Sequence, residues 1–314
     1  MYYIGLDLGG TAIKGGILDE KADVVTSRSI PTEAKGGADH VIGRLAELAR
    51  MLVSDAKLKE DQIGGVGVGT PGPVDPRTQV VLLAPNLGWT EVALGPSLRR
   101  QIPWPVEVVN DANAAGYGEF IAGVARDVSD MVLLTLGTGI GSGIVIGGKL
   151  FVGPHGAGAE LGHSIIELGG RLCGCGQRGC IEQYASATAI AREAKRRREA
   201  GEKTSLPENP STKDVFAALE QGDPLACAVV DEACDYLGAA IVNFVHALDP
   251  QMVVLGGGVT AAGQHLLTRV RAAHKKHHWT ASPSYITIEL ATLGNDAGFI
   301  GAASLARSAA GGTA

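Results

Sequence analysis

The sequence is short of the features that mark several large classes of protein. Aromatic residues make up only 4% of the chain and the formal net charge is −6. It therefore has no broad basic surface interleaved with stacking rings, which argues against nucleic acid as the main partner. No apolar run is long enough to span a bilayer without interruption by Gly, Asp or Lys. The opening MYYIGLDLGGT lacks the positive start, long apolar stretch and small-residue cleavage site of a secretory signal, and reads directly as a strand. A cytoplasmic protein with no membrane partner is expected. Cysteine is scarce too, with five in 314 residues. Three of them, Cys173, Cys175 and Cys180, nevertheless crowd into LCGCGQRGCIEQ. Where thiols stay reduced, that crowding points to metal ligation or redox chemistry in preference to a disulfide framework. Cys227 and Cys234, in a helical pattern, read as buried small hydrophobes.

What the chain has in excess is glycine, 45 residues, set between apolar segments that bring the hydrophobic content to 45%. Such glycines suggest tight loops between strands, and the apolar content is ample for real cores. Residues 2–8 and 13–18 read as strands around LGGTA, and residues 132–136 and 143–147 repeat that plan around GTGIG. This is a short internal repeat. Between the hairpins, 38–58 has a helical period, IGGVGVGTPGPVDP reads as a strand entering a proline-stiffened loop, and PVEVVNDANAAGYGEF as strand, turn, helix. Further on, 184–200 and 225–248 read as helices, QMVVLGGGVT as a buried strand meeting a glycine loop, and FIGAASLARSA as a closing helix. Strands alternating with helices, with the unusual residues at strand ends, indicate an α/β fold of two lobes.

Two glycine motifs are misleading. GVGTPG at 67–72 fits the dinucleotide pattern, but Pro71, Pro73 and Pro76 oppose the helix that must open there. GIVIGGK at 143–149 nearly fits a P-loop, yet Leu150 replaces the required Ser/Thr. DLGGTAIK at 7–14 is the stronger candidate for phosphate. Gly9 and Gly10 let backbone N–H groups approach phosphate oxygens, Thr11 adds a hydroxyl, Lys14 supplies charge, and Asp7 at the strand end suits hydrated Mg²⁺. An ordinary hairpin turn is the competing explanation. Gly137, Thr138 and Gly139 would form a second phosphate hairpin, and Gly256 and Gly257 would let an adenine lie on the backbone.

DLGGTAIK, LGTGIG and LGGGV in this order resemble the phosphate-1, phosphate-2 and adenosine segments of the sugar kinase, actin and Hsp70 superfamily. GTPGPVD, NDANAA, GAELGH and CGCGQRGCIEQ resemble more narrowly the ROK family, its bacterial glucokinases in particular, from Ile4 to about Ala303. The resemblance implies a duplicated two-lobed actin-like (ribonuclease H-like) ATPase fold with an interlobe cleft and a structural zinc loop. The lobes are expected at 1–116 plus 300–314 and at 117–299, the latter carrying the zinc loop. It also implies a homodimer or homotetramer.

The spacing C-x-C-x4-C, with Gly162-His163 upstream, supplies three thiolates and one imidazole, the donor set of a closed tetrahedral Zn²⁺ site. A redox pair or unreacted core thiols are the alternatives. The matching ROK segment binds structural zinc through the positions of His163, Cys173, Cys175 and Cys180. A closed site leaves no coordination position for chemistry, so the ion would organise the loop, fixing His163 and Glu182.

Sugars need many paired donors and acceptors, and Asn110, Asp111, Glu160, His163 and Glu182 supply them. The resemblance assigns Asn110 and Asp111 to hydroxyls far from the anomeric carbon, Glu160, His163 and Glu182 to those near it, and Pro71, Gly72 and Asn86 to further walls. Ala159 stands where many relatives have Gly. Asp111, after an apolar strand and before a small-residue helix, is expected to be the catalytic base, with a helix N-cap as its competing role. The implied activity is ATP- and Mg²⁺-dependent phosphorylation of a hexose at its 6-hydroxyl, glucose first. N-acetylmannosamine, N-acetylglucosamine and fructose are alternative acceptors, and polyphosphate is an alternative donor. A sugar-sensing ROK regulator is the non-enzymatic alternative; it is disfavoured because the DLGGT strand begins at Met1, leaving no room for a helix-turn-helix domain.

Overall fold

A computed structural model describes residues 1–279 and 286–311. Its strands are β1 (Tyr2–Leu8), β2 (Ala12–Leu18), β3 (Val24–Pro31), β4 (Ile63–Thr70), β5 (Val81–Ala84), β6 (Trp89–Val92), β7 (Val106–Asn110), β8 (Met131–Leu136), β9 (Ile140–Ile146), β10 (Lys149–Leu150), β11 (Met252–Gly256) and β12 (Thr287–Leu290). Its α-helices are α1 (Ala38–Asp55), α2 (Leu94–Arg99), α3 (Asp111–Ile121), α4 (Glu182–Ala185), α5 (Ala187–Glu199), α6 (Thr212–Glu220), α7 (Pro224–Leu248), α8 (Gln264–His277) and α9 (Ala297–Ala309). The helix expected over 184–200 is broken at Ser186, whose hydroxyl accepts the Ala189 N–H at 3.1 Å and so caps α5 as a separate helix. Among the described residues no helix is long and apolar enough to cross a membrane.

The repeat is real at the level of topology. One sheet has the strand order β3-β2-β1-β4-β7 and the other β10-β9-β8-β11-β12. In the first, β1 pairs antiparallel with β2 and parallel with β4, which pairs parallel with β7. In the second, β11 lies parallel between β8 and β12. Parallel neighbours put their carboxyl ends on the same edge, and that edge is where ligands of open α/β sheets bind.

The chain divides into two compact units, Met1–Ser129 with Gly143–Ala159 and Thr292–Ala314, and Asp130–Ser142 with Glu160–Ala291. These bounds differ from a division at 116/117 and 299/300, because both of those cuts fall inside helices that pack on one another. A Cβ on Gly301 of α9 would lie 1.7 Å from the Ala114 carbonyl oxygen of α3, so the two backbones touch.

In the first unit, alternation along β1 decides what each face meets. Ile4, Leu6 and Leu8 point into a core shared with Val41, Leu45, Leu48 and Leu52 of α1. The opposite face carries Tyr3, packed with Phe299, Ile300 and Ala303 of α9. There α9 lies directly on the sheet backbone. A Cβ on Gly5 would meet the Phe299 carbonyl oxygen at 1.8 Å, and one on Gly67 of β4 the Ala302 carbonyl oxygen at 1.8 Å. In the second unit, α5, α6 and α8 pack around the long α7.

Candidate functional site

In the first unit the expected residues gather at the carboxyl ends of β1, β4 and β7. The LGGTA turn closes tightly, with the Gly9 N–H donating to the Ala12 carbonyl at 3.0 Å. Thr32 braces it twice, its hydroxyl donating to the Gly9 carbonyl at 2.6 Å and its N–H to the Thr11 carbonyl at 2.9 Å. Thr32 is fully buried, and nothing in the motif pattern pointed to it. Lys14 is engaged: it pairs with Asp296 and sits 5.8 Å from the centroid of the Phe299 ring. The backbone and Cβ of Asn86 lie just under 4 Å from where a Gly10 side chain would begin.

Asp7, near the end of β1, is partly buried. Its surroundings raise its pKa from 3.8 to about 6, through burial first and then the charge of Asp111, with Lys14 opposing. Gly298, in the first turn of α9, has no room for a side chain: a Cβ would lie 2.6 Å from Asp7 Oδ2. Sequence reading missed Gly298, although a glycine opening an otherwise small-residue helix was its available signal.

The capping question at Asp111 is resolved by its neighbour. Asn110 is the N-cap of α3, its Oδ1 accepting the N–H groups of Ala112 at 2.9 Å and Asn113 at 3.2 Å. Its Nδ2 donates to the Gly72 carbonyl at 3.2 Å, which ties the TPGP loop to the same corner. Asp111 is thereby the first residue of the helix, with Oδ1 accepting the Ala112 N–H at 2.8 Å. Burial raises its pKa, held back by the hydrogen bonds from Ala112 and Asn110. Two carboxylates that each resist ionisation, one repelling the other, are a donor set suited to a divalent cation, so Asp7 fits the Mg²⁺ role.

In the second unit, one nitrogen and three sulfurs converge. The ligand atoms of His163, Cys173, Cys175 and Cys180 all lie within 4.8 Å of one another. Cys175 and Cys180 sulfurs are 3.7 Å apart, and His163 Nδ1 is 3.6 Å from Cys173 Sγ. Tetrahedral zinc with ordinary bond lengths demands edges of about 3.8 Å between sulfurs and about 3.6 Å between sulfur and nitrogen. The donors fit that ion, and Nδ1 faces the thiols, leaving Nε2 for another partner. Burial raises the thiol pKa at Cys173 and pushes Cys180 up to about 12, so binding a cation there must displace protons. Arg171 anchors the loop to α5 through Glu193 at 2.8 Å, and Tyr236 of α7 donates to Glu167 at 2.9 Å.

The family model of the ROK family matches residues 3–309. The chain belongs to the ROK family. It is 38% identical over 308 residues to a glucokinase of Halalkalibacterium halodurans, covering 96% of this chain and 93% of that protein. It is 37% identical over 319 residues to a glucokinase of Thermotoga maritima, covering 98% of each. A crystal structure of a ROK family glucokinase from Streptomyces griseus, in complex with glucose and AMPPNP, superposes with a TM-score of 0.82 at 34% identity, covering 98% of this chain and all of that one. The ROK fold expected from the motifs is therefore the fold of this chain.

The remaining expected positions of this ROK chain lie in the second unit. The Glu160–His163 turn rests on β9: the Leu161 N–H donates to the Ser142 hydroxyl at 2.9 Å, and a Cβ on Gly162 would overlap the Ile140 carbonyl oxygen at 1.9 Å. Ala159, the departure from glycine and the last residue of a first-unit segment, takes φ 60°, a left-handed backbone that costs a non-glycine residue about 1 kcal/mol. At the second hairpin, the Gly137 N–H donates to the Gly139 carbonyl at 2.9 Å. Gly257, with φ 83°, backs that hairpin, since a Cβ would lie 2.5 Å from the Leu136 carbonyl oxygen. Gly256 and Gly257 are thus placed beside Gly137–Gly139, at the carboxyl ends of β11 and β8.

Proposed function

We propose that this chain is an ATP-dependent glucokinase that transfers the γ-phosphoryl group to the 6-hydroxyl of glucose. The observation that carries this reading is Asp111, a partly buried carboxylate at a strand end that Asn110 has relieved of capping the helix. Membership of the ROK family and the glucokinase relatives support the reaction class.

Asp111 accepts the proton of the sugar 6-hydroxyl as that oxygen attacks the γ-phosphorus in line and the bond from phosphorus to the bridging oxygen of ADP breaks. The raised pKa of Asp111 brings it nearer to that of its task than an exposed aspartate would be. Asn110 retains an amide hydrogen for a second hydroxyl after serving Gly72. Glu160, His163 Nε2 and Glu182 take the hydroxyls near the anomeric carbon. Gly9 and Gly137 close their turns with their own N–H groups, so the N–H groups of Gly10, Thr11, Thr138 and Gly139 receive phosphate oxygens, and Gly256 and Gly257 receive the adenine. Asp7 would hold Mg²⁺, which would supply positive charge to offset that developing on the phosphates. His163, Cys173, Cys175 and Cys180 would hold a structural zinc ion, whose coordination would keep the His163 ring and Glu182 in place. The cytoplasm is the compartment in which such thiols stay available to zinc.

A coupled assay across glucose, fructose, mannose and the N-acetylated amino sugars, with ATP and polyphosphate as donors, tests the reading. Glucose with ATP is expected to give the highest kcat/KM. Absence of turnover with every pair would sink the kinase reading.

A further inference from the structure

Glu182 joins two parts of the second unit that the motifs treat separately. Its Oε2 accepts the Ile140 N–H at 3.0 Å, immediately after the Gly137–Gly139 turn. A Cβ on Gly139 would lie 2.2 Å from that same oxygen, so the turn needs glycine there to admit the carboxylate. Its Oε1 lies 3.5 Å from Cys173 Sγ and 3.5 Å from Gln183 Nε2. Gln183 is itself gripped: Arg192 donates to its side-chain oxygen at 2.9 Å and to its backbone carbonyl at 2.7 Å. A second tie follows, the Ala187 N–H donating to the Gly137 carbonyl at 2.9 Å.

Simple electrostatics makes this placement odd. A carboxylate beside a turn that receives phosphates repels them, and its removal alone would tighten nucleotide binding. We infer that Glu182 is a positioning residue for the nucleotide: it is a strut that transmits the geometry of the four-donor metal loop to the Gly137–Gly139 turn. Zinc binding then sets the affinity of this unit for the ATP phosphates as well as for the sugar. The inference rests on the kinase reading, in which that turn holds phosphate. The strut acts through a hydrogen-bond acceptor, whereas simple repulsion acts through charge, and the two predict opposite signs.

The test measures binding of a non-hydrolysable ATP analogue with Mg²⁺ by calorimetry, alongside zinc content by mass spectrometry, in the whole chain and its variants. Glu182→Ala should weaken the analogue about tenfold while zinc is retained, the loss expected for one charge-assisted hydrogen bond. Glu182→Gln keeps an oxygen for the Ile140 N–H and should stay within about threefold of the parent. Cys175→Ser, which does not contact the turn, should lose zinc and weaken the analogue about as much as Glu182→Ala. Unchanged or tighter binding in Glu182→Ala would overturn the strut. So would Glu182→Gln falling as far as Glu182→Ala, or a zinc-free Cys175→Ser chain that binds the analogue normally. A parent chain that binds no analogue at all breaks the kinase reading, and the strut falls with it.

Discussion

The two units gather their reactive groups in opposite ways. In the first, Asp7 and Asp111 come from the ends of β1 and β7, on either side of β4, both partly buried, and the charge of Asp111 opposes ionisation of Asp7. In the second, one imidazole and three thiols lie within 4.8 Å of one another, two of their separations already those of a zinc tetrahedron. The acids lack a resident partner of opposite charge strong enough to restore their ordinary pKa, since Lys14 is shared with Asp296. The thiols form a complete ligand set. In the proposed function the first cluster would receive a charge that comes and goes with the substrate, the second an ion that stays.

Four experiments would break or sharpen that contrast. Removing the base is expected to have the largest effect: Asp111→Asn should lower kcat by about a thousandfold or more, while equilibrium binding of glucose survives. Near-normal turnover in the coupled assay would take Asp111 out of the mechanism. Next, Cys175→Ser should lose zinc and weaken glucose binding by about ten- to a hundredfold together. Unaltered sugar affinity in zinc-free protein would make the thiol cluster a bystander to recognition.

The third experiment concerns stability. Between its unfolded value of 3.8 and its folded value of about 6, Asp7 holds its proton in the folded state and loses it in the unfolded state. Unfolding therefore releases protons, and the free protein loses stability as pH rises through that window. Asp7→Asn should accordingly raise stability in denaturant at pH 7 by up to about 3 kcal/mol, with the gain vanishing near pH 4. A gain that is the same at both pH values would show that Asp7 carries no buried charge. The smallest effect is expected from Gly298→Ala, whose methyl must displace the Asp7 carboxylate. It should lower kcat by about tenfold and leave glucose binding unchanged. Unchanged kcat would mean that Asp7 can move without cost.

Much of this was legible in the sequence because period-two and period-3.6 patterns survive in single segments. Tyr2–Leu8, Ala38–Asp55 and Pro224–Leu248 form within a few residues of where those patterns place them. The cysteine cluster was legible for a different reason: its ligands are close in sequence, so spacing carries geometry. Three things were not visible. Thr32 supports the first turn from two strands away, a contact set by the β2–β3 register alone. The role of Asn110 as N-cap could not be separated from that of Asp111, because both residue types cap helices well. The reach of Glu182 to Ile140 links residues far apart in the chain, and no local pattern encodes it.

The seating of α9 on Gly5 and Gly67 has a consequence for the order in which the protein can be made. The sheet it covers is complete once β7 has been synthesised, but α9 follows only after the whole of the second unit. A nascent chain therefore carries this face of β1 and β4 without α9 while the second unit is synthesised. The glycines that let the helix settle so closely also leave that waiting face with few side chains, a poor surface for another nascent chain to adhere to.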